Sequence, residues 1–111
     1  MDSPRTTATG NEGPPTFLVE HYWPDATPDA FRAIVARVRA AVDDMAGSGL
    51  PLRFLRSTFV PEQESALCVF SSSGPRLVEQ AYLRAGIGFE RIVKVLEIDV
   101  GEPAVAPPME D

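Results

Sequence analysis

The stretch from Leu52 to Ser71 constrains the fold more than any other part of the chain. Two arms rich in aromatic and aliphatic residues, with polar ones interleaved, flank Pro61-Glu62-Gln63-Glu64, a break made of solvent-seeking side chains. That pattern predicts a β-hairpin. Successive side chains of a strand point to opposite faces, so Leu55 and Phe59 are expected on one face and Phe54, Arg56 and Thr58 on the other. In the second arm Leu67 and Val69 oppose Cys68 and Phe70. One face is then purely apolar, as a layer under helices should be. The opposite face mixes aromatic, cationic, hydroxyl and thiol groups, and function is expected there.

The flanking sequence supplies the rest of the sheet and its cover. Thr16 to Trp23 reads as a strand ended by Pro24, with Phe17 and Val19 on one face and Leu18, Glu20 and Tyr22 on the other. Thr27, Pro28 and Asp29 then form a helix start: a capping hydroxyl, a proline at the first helical position and a carboxylate at the positive end of the dipole. Phe31, Ile34, Val35, Val38, Val42 and Met45 recur at helical spacing, and Gly47-Ser48-Gly49 stops the helix. Beyond the hairpin, a second helix runs to about Ala85 with Leu77, Val78, Ala81 and Tyr82 inward, and Gly86 ends it. A last strand, Arg91 to Ile98, alternates Val93 and Val95 against Ile92, Lys94 and Leu96.

The resulting order, βαββαβ, predicts an α+β ferredoxin-like fold: a four-stranded antiparallel sheet with two helices on one face. The second sheet face would then present Leu18, Tyr22, Phe54, Phe70, Ile92 and Leu96 to solvent. An exposed apolar surface of that kind predicts a homodimer.

Of 111 residues 44% are apolar, enough for one modest core. Residues 1–15 and 101–111 are rich in Pro, Gly and small polar residues without periodicity, so both are expected to be disordered around a folded domain at 16–100. No segment resembles a signal peptide or a membrane span, which predicts a cytoplasmic protein with no membrane partner. A net charge of −6 argues against nucleic acid, whose phosphates need a basic surface. A single cysteine, Cys68, excludes an internal disulfide and any Cys-rich zinc site.

Strand parity puts Glu20, Tyr22, Arg56, Cys68 and Lys94 on the open face. Strands one and three are central neighbours in this topology, so Glu20 and Cys68 are expected side by side, a carboxylate and a thiolate suited to nickel or zinc. Glu20 near Arg56 or Lys94 could instead act as a general base in a partly dry cavity. The simpler alternative is a salt-bridged Glu20 and an inert buried Cys68. His21, the one imidazole, falls opposite Glu20 near the strand end and is expected at the surface. The segment 71–76 is expected to cap the second helix through Ser73 or Gly74, and Gly86-Ile87-Gly88 does not form a dinucleotide loop because it follows a helix.

Three segments together, FLVEHYW, RFLRSTFV with ALCVFSS, and LRAGIGFERIVKVLEID, resemble the small ferredoxin-like proteins catalogued as domain of unknown function 4242, some of which are described as nickel-binding. The likeness covers nearly all of residues 16–99. It implies a dimer. Glu20 matches an acidic position near the end of the family's first strand, Ser57 a serine after its second, Cys68 the cysteine in its third, and Arg84-Ala85-Gly86 the end of its second helix. Phe54 stands where many relatives have tryptophan, and Ala81 where many have a histidine that would serve as a soft-metal ligand. The implied function is binding of a divalent transition metal such as nickel, with Glu20 and Cys68 as ligands and His21 as a third candidate. Tyr22, Phe54, Arg56, Phe70 and Lys94 would line the site. The alternatives are an enzyme or carrier for a small organic molecule, with Glu20 as acid/base, and a plain interaction module.

Overall fold

A computed structural model describes residues 14–98. The expectation of disordered tails therefore falls almost wholly outside the described residues. The elements are β1 (Thr16–Tyr22), α1 (Pro28–Gly47), β2 (Leu52–Val60), a 3-10 turn (Pro61–Gln63), β3 (Ser65–Ser72), α2 (Pro75–Ala85) and β4 (Arg91–Val95). All strand pairings are antiparallel and the sheet order is β2-β3-β1-β4, the ferredoxin-like arrangement.

Local chemistry explains the boundaries. The Thr27 hydroxyl accepts the Ala30 N–H at 3.1 Å, and Pro28 opens α1. Gly86 ends α2 at φ 72, a left-handed conformation that a side chain disfavours. Glu64 makes the hairpin turn at φ 52, closing on the Pro61 carbonyl. Helix α2 is capped at Gly74 without a side-chain bond to its N–H groups; Ser72 folds back on Gly74 instead.

Helices α1 and α2 share one sheet face. Between them and the strands lie Phe17, Val19, Val38, Val42, Met45, Cys68, Phe70, Val78 and Tyr82, all buried. Burying a side chain such as Phe70 contributes about 1.5–3 kcal/mol, so this single layer holds most of the domain's stability.

Side-chain parity departs from expectation in three strands. Register pairs Phe17 with Phe70 and Val19 with Cys68, so the face of β3 holding Cys68 and Phe70 lies under the helices, and Leu67 and Val69 lie on the open face. Both alternations of this central strand are apolar, so composition could not choose between them; pairing with β1 does. In β2 a bulge at Leu55 separates Phe54, opposite Phe70, from Arg56, opposite Val69. An extra residue reverses parity beyond it. Phe54 therefore stacks on Phe70 inside, with ring centroids 4.6 Å apart, while Arg56 and Thr58 keep their expected open face. Phe59 stacks on Phe31 of α1 at 5.1 Å, and Leu55 is left exposed. Strand β4 pairs Ile92 with Val19 and Lys94 with Phe17, which puts both on the helix side, and it ends at Val95 rather than Ile98.

Candidate functional site

The open face consists of rows that run across all four strands. One row is Val93, Leu18, Val69 and Arg56; the next is Arg91, Glu20, Leu67 and Thr58; a third is Val95, Thr16, Ser71 and Arg53. Apolar side chains fill the row Val93, Leu18 and Val69, and polar ones flank it at Arg56, Glu20, Arg91, Thr16 and Ser71. Arg91 Nε donates to the Glu20 carboxylate at 3.0 Å, and the Tyr22 hydroxyl donates to Glu64 at 3.1 Å. That bond, together with the negative charge of Glu64, raises the Tyr22 pKa. Arg56 is ion-paired with Glu97.

The last pair has a geometric consequence. β2 and β4 are opposite edges of the sheet, separated by three strand spacings or roughly 14 Å. For Glu97 to reach Arg56, the chain beyond Val95 must turn inward over the open face. Leu96 and Ile98 on this strap are 80% and 72% exposed, whereas Val69 of the sheet row is 5% exposed, so the strap itself carries much of the apolar surface left in water.

The expected metal pair is separated. Glu20 stands on the open face, one-third exposed, whereas Cys68 points into the helix layer at 2% exposure. His21 is not at the surface either. It shares the inward parity of Phe17 and Val19 and is 2% exposed. Among the described residues no three His, Cys, Asp or Glu side chains come together as a metal-holding group. Of the residues expected to line the site, Tyr22 and Arg56 are on the open face, and Phe54, Phe70 and Lys94 are not.

The inward side holds a polar cluster that the sequence did not suggest. His21 Nδ1 lies 3.0 Å from the Ala66 carbonyl oxygen, and Nε2 lies 2.9 Å from the Tyr82 hydroxyl. A carbonyl can only accept, so Nδ1 carries the proton and the neutral ring offers its Nε2 lone pair to the tyrosine O–H. Burial lowers the His21 pKa from 6.5, with the Ala66 bond and the Glu90 charge opposing. Beside them burial pushes the Cys68 thiol up to about 11, which the neighbouring Tyr82 hydroxyl offsets only in part. Burial likewise raises Tyr82 itself. All three groups are held neutral, and the cluster behaves as a satisfied core network. The available signal was the parity of His21, two residues beyond Val19 on an inward-facing alternation.

The chain matches the crystal structure of SCO4226 from Streptomyces coelicolor A3(2) with a TM-score of 0.65 at 18% identity, over 76% of this chain and 99% of that one. The fold is ferredoxin-like. No protein-family model matches the chain, and no curated protein matches it. No helix among the described residues is long and apolar enough to cross a membrane.

Proposed function

We infer that this ferredoxin-like domain works as a homodimeric interaction module, with the open sheet face as the contact between two copies. The exposure of Leu96 and Ile98 beside the apolar row Val93, Leu18 and Val69 carries the reading. Two large aliphatic side chains left in water next to an apolar sheet mark a surface that gains from being covered. The polar groups around it, Glu20 with Arg91 and Arg56 with Glu97, are already paired and can enter an interface at low desolvation cost. The same pairing leaves Glu20 engaged, which favours a contact over acid/base chemistry.

Sedimentation velocity on the full chain tests this. The wild type is expected to sediment as a dimer at micromolar concentration, and the Leu96→Asp/Ile98→Asp double variant as a folded monomer. A wild type that stays monomeric throughout ends the reading. Nickel, which the resemblance implies, has Glu20 as its one expected donor on this face, so calorimetric heats equal in wild type and Glu20→Ala would remove that addition.

A further inference from the structure

A second surface lies at the seam between α1 and the edge strand β2. Two adjoining hollows, of about 280 and about 110 Å³, share Val35, Arg39 and Ser57 as lining. Phe31 lines the larger, and Phe54 and Leu55 the smaller. The cause is local: the bulge at Leu55 bends β2 where it passes the helix, and Val35, expected in the core, remains half-buried at the seam.

The charges around this trough are one-sided. Arg32 pairs with Asp29 and Arg56 with Glu97, while no ion pair of Arg39 is found among the described residues. No carboxylate lines either hollow. Arg39 thus sets a guanidinium with no ion pair among the described residues above an apolar floor. A guanidinium fork matches a carboxylate with two parallel hydrogen bonds, and the Ser57 hydroxyl can donate a third. Phe31, Val35 and Phe54 offer contact to hydrocarbon only.

We propose that the α1–β2 trough binds a small amphipathic carboxylate, with its head on Arg39 and Ser57 and its alkyl or aryl body along Phe31, Val35 and Phe54. A volume of about 280 Å³ is just below the roughly 300 Å³ at which drug-sized pockets begin, so the ligand is small, in the range of octanoate or phenylbutyrate. The trough meets the open sheet face only at Arg56, which lines the smaller hollow and ends one sheet row; the residues assigned to the ligand, Phe31, Val35, Arg39, Phe54 and Ser57, lie off the rows of the dimer contact.

The test is a ¹⁵N HSQC titration of the full chain with octanoate and, separately, with octanol. Octanoate is expected to produce saturable shifts confined to residues 31–39 and 54–57. Because Arg39 is exposed, Arg39→Gln leaves the fold intact, and it should weaken octanoate by about tenfold or more while leaving octanol unchanged, as loss of a charge-assisted hydrogen bond requires. The proposal is overturned by absent saturation up to about 5 mM, too weak for a site. It is overturned equally by shifts centred elsewhere, by octanol binding as well as octanoate, or by Arg39→Gln binding like the wild type.

Discussion

Replacing Tyr82 by Phe removes one oxygen from the driest part of the domain. Tyr82 is 1% exposed, and its ring centroid lies 5.4 Å from His21, 5.9 Å from Phe70 and 5.2 Å from Phe89, so the aromatic packing survives the change. The loss is polar. With Nδ1–H held by the Ala66 carbonyl, the His21 Nε2 lone pair is left without its donor in a site that water does not reach. A stranded buried acceptor costs about 1–3 kcal/mol. For a domain of this size a urea m-value of roughly 1 kcal/mol/M turns that cost into a midpoint lowered by roughly 1–3 M. Trp23, whose ring lies 4.5 Å from that of His21, reports the transition by fluorescence. The measurement belongs at pH 7.5, where the imidazole is neutral in both states. A midpoint lowered by less than about 0.5 M at unchanged slope would show that Tyr82 does not serve Nε2, and the tautomer assignment would fail.

Two further outcomes follow from the same cluster. The native His21 pKa is depressed below the unfolded 6.5, so the unfolded chain takes up a proton first; this contribution is complete above pH 6.5 and is lost as pH falls toward the native pKa, by up to about 1.4 kcal/mol per pH unit. Urea midpoints from pH 7.5 to 5 in wild type and His21→Gln check this, and parallel curves would refute it. Cys68, buried and pushed up to about 11, should resist iodoacetamide at pH 8 and react only on unfolding; native labelling within about tenfold of the urea-unfolded rate would contradict its placement.

Ligand readings are the part of the protein that tertiary structure rearranged most. Glu20 and Cys68 are in neighbouring strands, as the topology demanded, yet they belong to different layers because Cys68 is opposite Val19 and Glu20 is opposite Leu67. Alternation in a single strand is a relative statement. It says that Cys68 and Phe70 share a side, and not which side, when Leu67 and Val69 are as apolar as they are. In β2 even the relative statement failed, since nothing in LRFLRSTFV announces the bulge that sends Phe54 inward and Arg56 outward.

The chain alone determined its elements and their order, because caps, glycine stops and hydrophobic period are properties of neighbours in sequence: Thr27 and Pro28 open α1, Gly86 closes α2, and βαββαβ connectivity leaves a handful of sheet orders, of which the chain adopts β2-β3-β1-β4. Which side of each strand meets the helices, where the histidine goes and what the open face offers were decided by register. Register depends on which residues lie opposite one another after folding, and a 45-residue separation such as His21 to Ala66 leaves no local trace of that choice.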